Sequence, residues 1–275
     1  MKIAVVGKGG VGKTTLAAAL ARTLDHRGYQ VVAIDADPDA NLASALPLDA
    51  NERERIVPLA QQGALIDEAL GGKEQLRDGL VPLNPDVRPL IEQLSVSWGQ
   101  GQRLLTLGWT KGGGQGCYCK ENALLSRVLS AIPSGSKDVL LIDSEAGLEH
   151  MSRGTIRKID AVIVVLEPGA RSVQTARDLH RLAQDLQIPK CLAVLNRCPS
   201  PEEREEVQRY LPTWPIVAAF PDDPAIRRAD LQGSLPPLSG AFGEGVKQIL
   251  QQLFPPADNA PVDNAPENKE GSHHA

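Results

Sequence analysis

Large rings are scarce in this chain of 275 residues, with three Trp, three Tyr and three Phe. Its core must therefore be aliphatic, built from Val, Ile, Leu and Ala. Cysteine is also sparse, and four in this length exclude a disulfide framework. No apolar run reaches the roughly 20 residues of a membrane-spanning helix. The first residues read as a strand rather than a leader, so the expected compartment is cytoplasmic and no membrane partner is expected. Positive charge is in deficit, with 29 Lys and Arg against 34 Asp and Glu, a formal net charge of −5. Nonspecific nucleic-acid binders carry a basic face, so no nucleic-acid partner is expected either.

What is present begins at once. Residues 3 to 6, Ile-Ala-Val-Val, form an apolar run that breaks at Gly7 into a glycine-rich loop, followed by a helical pattern from Leu16 to Leu24. Gly7-x-x-x-x-Gly12-Lys13-Thr14 fits the P-loop pattern in its strand–loop–helix setting. Glycines let the backbone turn its N–H groups onto phosphate oxygens, and the helix N-terminus adds a positive dipole end. Gly9, Gly10, Val11, Gly12, Lys13, Thr14 and Thr15 are thus the expected nucleotide-binding residues. Lys13 is expected on the β- and γ-phosphates and the Thr14 hydroxyl on Mg²⁺. Gly7-x-Gly9-x-x-Gly12 with Asp35 downstream also satisfies the dinucleotide fingerprint, but that fingerprint does not require Lys-Thr after the last glycine.

Apolar runs recur at 30–35, 138–143, 161–166, 190–195 and 216–220, with a shorter one at 103–107, and all read as strands. Helical patterns cover 121–132, 173–186, 201–211 and 246–253, and 51–70 reads as partly helical with a break or kink at Pro58. Three prolines in 82–89 mark a loop or edge. The alternation predicts an α/β fold: one doubly wound, mostly parallel sheet with helices on both faces, a P-loop NTPase domain over residues 1–254. Residues 255–275, an acidic Pro/Asn-rich stretch carrying Asp-Asn-Ala-Pro twice, read as a disordered tail.

Asp143 ends the strand 138–143 at the sheet edge that carries the P-loop, which makes it the Walker B candidate for Mg²⁺. Residues 144–150 follow directly and read as switch II, with Glu145 and Gly147 as switch residues. Glu149 and His150 are weaker candidates for metal ligands. Cys117-x-Cys119 lies beside a glycine cluster. Two thiolates supply half of a four-sulfur metal site. A two-fold dimer with this loop on its axis would close the set, with one metal ion per dimer. Cys191 and Cys198 flank a core strand and read as structural.

The run Gly-Lys-Gly-Gly-Val-Gly-Lys-Thr-Thr resembles the deviant Walker A motif of the MinD/ParA and nitrogenase-iron-protein-like ATPases. The resemblance implies a nucleotide-sandwich homodimer in which Lys8 reaches the partner's nucleotide. The segment Asp37-Pro-x-x-Asn41-Leu resembles switch I of that group. It implies that Asp37 orients the attacking water near Mg²⁺ and that Asn41 transmits nucleotide state. Asp35 is left as either a second Mg²⁺ partner or a structural charge. In that group the loops at Asn196 and at Phe220, Pro221, Asp222 and Asp223 would cup the adenine, although Asn196 also suits an ordinary turn.

With Gly-Cys-x-Cys-x-Glu-Asn and Asp-x-Glu-Ala-Gly-Leu-Glu-His added, the set resembles the CooC-type ATPases, accessory proteins for nickel insertion into carbon monoxide dehydrogenase. That implies a Mg-dependent ATPase binding ATP or ADP, with Ni²⁺ or Zn²⁺ shared between two subunits through Cys117 and Cys119. The implied client is a metalloenzyme such as carbon monoxide dehydrogenase. Two other readings remain open. One is a MinD/ParA-type positioning or partition switch; the other is an iron–sulfur carrier or reductase, which calls for ligands from two separated loops.

Overall fold

The computed structural model describes residues 1–37, 40–62, 64, 88–108, 135–144 and 159–255. Its eight strands are β1 (Lys2–Gly7), β2 (Gln30–Asp35), β3 (Val96–Trp98), β4 (Gln102–Thr106), β5 (Asp138–Asp143), β6 (Ala161–Leu166), β7 (Lys190–Leu195) and β8 (Ile216–Ala219). They form one sheet in the order β3-β4-β2-β5-β1-β6-β7-β8. Every pairing is parallel except the short β3–β4 hairpin at one edge. This is the mostly parallel, doubly wound sheet the alternation predicts.

The described helices are α1 (Lys13–His26), α2 (Ala50–Glu54), α3 (Arg88–Leu94), α4 (Ala170–Asp185), α5 (Pro201–Arg209), α6 (Pro224–Leu231) and α7 (Gly240–Leu253). Alternate strand residues feed two separate cores, because successive side chains leave opposite faces of a strand. From β1, Ala4 and Val6 join Val173, Ala176 and Leu179 of α4 and Val207 of α5 on one face. Ile3 and Val5 join Leu16 and Leu20 of α1 and Val246, Ile249 and Leu250 of α7 on the other. Burial on both faces explains why these strands are continuous apolar runs rather than alternating ones.

Local signals set the helix starts. Ser200 caps α5 by accepting from the Glu203 N–H at 3.3 Å, with Pro201 next and Glu202 and Glu203 in the first turn. Asp223 caps α6 the same way, accepting from the Ala225 N–H at 2.8 Å.

The structure corrects some expectations. Residues 88–94 are helical although Pro89 falls in the proline-marked stretch, because proline is tolerated in a first turn. Helix α6 and strand β3 were not expected; both are too short to show a period. Helix α4 starts three residues earlier than its apolar pattern, and α5 stops two earlier than expected. Helix α7 starts at Gly240 despite its glycines. A Cβ on Gly245 would run into the Phe220 ring, so that glycine is a packing requirement inside the helix. The expected helix over 121–132, the segments 65–70 and 145–150, Cys117, Cys119 and the tail over 256–275 lie outside the described residues.

Candidate nucleotide and metal site

The P-loop leaves β1 at the centre of the sheet, between β5 and β6. Asp143 is in register with Val5 of β1 and also with Asp35 of β2, so both acidic residues end their strands beside the loop. Gly7 has φ +149°, and a Cβ there would collide with the Val165 carbonyl of β6, so the loop can pass its neighbour only as glycine. Gly12 precedes α1 with φ +95°. No side chain caps α1 and no acidic residue lies in its first turn, so its leading N–H groups are left for an anion.

Lys13 is buried, and its Nζ donates to the Lys8 carbonyl at 3.2 Å. The ammonium is thus folded back onto its own loop. Lys8 is exposed, and no hydrogen bond or ion pair holds its side chain among the described residues. Both Asp143 carboxylate oxygens are buried without a hydrogen-bond partner. Burial pushes the Asp143 carboxyl up to about 6, against the pull of the nearby Thr14 hydroxyl and Lys13 ammonium, with Asp37 adding to the rise. Thr14 is therefore close enough to favour the anion but makes no hydrogen bond of normal length.

Asp35 is fully buried and differs in one respect. It accepts from the N–H of Leu42 at 2.9 Å and of Asp37 at 3.2 Å. Burial, then the neighbouring Asp143, raises its carboxyl to about 7. Of the two options left open for Asp35, this geometry is that of the structural charge, which anchors the backbone at Asp37 and at Leu42. Asp37 is buried as well. Asn41 is exposed at the start of a 3₁₀ turn over Leu42–Ala45, and its carbonyl accepts from Ser44.

An orphaned carboxylate next to a hydroxyl and a lysine suits Mg²⁺, which takes one or two carboxylates together with substrate phosphates. Thr14 and Asp143, with Asp37 near them, are the residues that could hold it. Among the described residues no group of three or more His, Cys, Asp or Glu is arranged as a metal site, and a Mg²⁺–nucleotide site does not need one.

A cavity of about 80 Å³ lies where β7 and β8 finish, lined by Gly12, Thr15, Asn196, Pro221, Asp222 and Phe242. Asn196 donates its Nδ2 to the Val11 carbonyl at 2.8 Å, which leaves Oδ1 as its free polar atom. Asp223 also lines the cavity while capping α6. Phe220 does not line it; it is buried behind, its ring 4.9 Å from that of Phe242. Phe242, Arg197 and Arg227, which ion-pairs with Asp222, went unnoticed in the sequence. Arg197 follows Asn196 directly, and its place just past a strand end was the available signal. Cys191 and Cys198 are free thiols, as expected of structural cysteines, with burial pushing Cys191 up to about 12.

The raised carboxyls predict a pH effect. A carboxyl with a raised folded pKa stabilises the fold while protonated, and that contribution is lost as pH climbs from about 4 towards its folded value. For Asp143 and Asp35 those values are about 6 and about 7. The melting temperature of chelator-treated, nucleotide-free protein should therefore fall by roughly 4 °C or more between pH 5 and 7. Asp143→Asn and saturating Mg²⁺–ADP should each flatten that slope in a thermal-shift series.

The family described as the CobQ/CobB/MinD/ParA nucleotide binding domain matches residues 2–236. The carbon monoxide dehydrogenase accessory protein CooC of Rhodospirillum rubrum is 41% identical over 233 residues, 85% of this chain and 88% of that protein. An uncharacterised ATP-binding protein of Methanocaldococcus jannaschii is 37% identical over 257 residues, 92% of this chain and 98% of its own length. Among solved structures, the septum site-determining protein MinD complexed with Mg-ADP from Pyrococcus horikoshii superposes with a TM-score of 0.63 at 22% identity. That match covers 92% of this chain and 96% of the other and shows a shared fold.

Proposed function

This chain belongs to the CobQ/CobB/MinD/ParA nucleotide-binding family as a CooC-type ATPase of the MinD/ParA group, and from that premise we propose that its ATP cycle drives metal delivery to a carbon monoxide dehydrogenase-like client. Residues 1–254 act as one ATPase domain, with 255–275 as an appended tail. The observation that carries the nucleotide site is the buried, unpartnered Asp143 carboxylate beside Thr14 and Lys13.

In this reading the phosphates displace the Lys8 carbonyl from Lys13, whose ammonium then meets the β- and γ-oxygens. The uncapped first turn of α1 and the loop amides surround the same oxygens. Thr14 and Asp143 hold Mg²⁺, with Asp37 beside them; the bound ion supplies charge neutralisation for the β- and γ-phosphates. Asp37, held by the Asp35 turn, orients the attacking water and accepts its proton. The free Oδ1 of Asn196 accepts from an exocyclic amine of the base, which suits adenine. Asn41, Glu145 and Gly147 relay the γ-phosphate's presence. Lys8, exposed at the mouth of the loop, completes the site of a second copy.

The cargo is Ni²⁺ or Zn²⁺, held between two copies by Cys117 and Cys119 of each. What supports this is the likeness to CooC and the chemistry of paired thiolates. Light scattering with a non-hydrolysable ATP analogue tests the nucleotide control. Wild type should pair, whereas Lys8→Ala should stay at least about 10-fold weaker in pairing. Equal dimerisation of the two proteins would remove Lys8 from the contact.

A further inference from the structure

We propose that Arg197 is a positioning residue of the ATPase, holding the crest of the P-loop by the Gly10 carbonyl while Glu167 holds Arg197. The proposal rests on residues 7–15 being the phosphate site. Strand β7 ends at Leu195, and the next two residues grip consecutive carbonyls of the loop. Asn196 Nδ2 donates to the Val11 carbonyl at 2.8 Å, and Arg197 Nη1 donates to the Gly10 carbonyl at 3.3 Å. The same Nη1 donates to Glu167 Oε1 at 2.6 Å. Glu167 stands just past β6, so the ends of β1, β6 and β7 are tied together at one point.

The consequence follows from the planar trans peptide, in which N–H and C=O point in opposite directions. Fixing the Gly10 and Val11 carbonyls towards Arg197 and Asn196 turns the Val11 and Gly12 N–H groups the other way. The Val11 N–H indeed points into the loop, towards the Lys8 carbonyl at 3.5 Å. That is the carbonyl on which Lys13 rests, where an incoming phosphate must bind. Loop amides of this kind are what bind phosphate.

Two features show that the turn is built rather than incidental. Arg197 has φ +51°, a left-handed conformation that a non-glycine residue keeps only when its surroundings hold it there. Its flanking amides are anchored, Asn196 N–H to the Leu166 carbonyl at 2.7 Å and Cys198 N–H to the Phe220 carbonyl at 2.8 Å. A base contact at Asn196 would therefore be felt at the loop amides through a single residue step.

The guanidinium is more than half exposed, and an exposed ion pair adds little to stability. Arg197→Ala should therefore keep the wild-type melting temperature while ATP turnover falls about 10-fold or more. Glu167→Gln should fall in the same direction by less, the double variant should be no worse than Arg197→Ala, and Arg197→Lys should recover part of the loss. The assay is steady-state phosphate release with kcat and KM separated, with Lys13→Ala run alongside. Folded Arg197→Ala with kcat and KM within about twofold of wild type would overturn the proposal, as would additive losses in the double variant. Should Arg197→Ala fail to fold, Glu167→Gln decides alone: reduced turnover upholds the proposal and unchanged turnover sinks it. Lys13→Ala retaining turnover would instead remove the phosphate-site reading beneath it.

Discussion

Lys13→Ala should turn over ATP at least about 100-fold more slowly than wild type. The Lys13 ammonium is buried, and Asp143, Asp37 and Asp35 are buried at the neighbouring strand ends. Its charge offsets part of the burial cost that Asp143 bears. Without it, the acidic site meets a polyphosphate with no buried cation from the loop beside it. Transition-state charge on the phosphoryl oxygens then lacks its main fixed partner. The variant should still fold, because among the described residues the Lys13 side chain makes a single hydrogen bond, to a carbonyl of its own loop. Phosphate release at saturating ATP, with circular dichroism as the control, measures the effect.

If the proposed cargo site holds, Cys117→Ser and Cys119→Ser should each weaken nickel or zinc binding by more than about 100-fold and leave ATP turnover near wild type. Losing one thiolate per chain would remove two of the four ligands of the proposed shared site. Second-shell changes alone can cost about 10- to 100-fold, and losing a ligand costs more. The other two cysteines give the internal contrast. Cys191 is a protonated thiol pushed up to about 12 by burial. Cys198 is raised by burial too, and its Sγ–H donates to the Ser200 carbonyl at 3.1 Å. Serine at either should leave bound metal unchanged. Anaerobic metal analysis of all four variants checks both halves of the statement.

The main strands were legible because each has a physical signature. Strands β2, β5, β6 and β7 occupy the expected residues, since a strand buried on both faces is an uninterrupted apolar run that polar or turn residues close. The P-loop and the place of Asp143 beside it were legible for a related reason: both are set by local spacing and by position at a strand end. Asp35 was not, because its role depends on two backbone N–H groups that a folded turn brings to it. The Arg197–Glu167 pair was invisible for the same kind of reason, its partners lying 30 residues apart on neighbouring strand ends. Phe242 reaches the cavity beside Asn196 from α7, and nothing in its own sequence neighbourhood connects it to Asn196.

Everything in the delivery reading depends on two copies closing around one ion when the triphosphate is bound. Native mass spectrometry of anaerobic protein, supplied with Ni²⁺ and a non-hydrolysable ATP analogue, tests this most directly. The account predicts a species of two chains, two nucleotides and one nickel, and its absence in Cys117→Ser. Single chains under those conditions, or nickel retained in the serine variant, would contradict it.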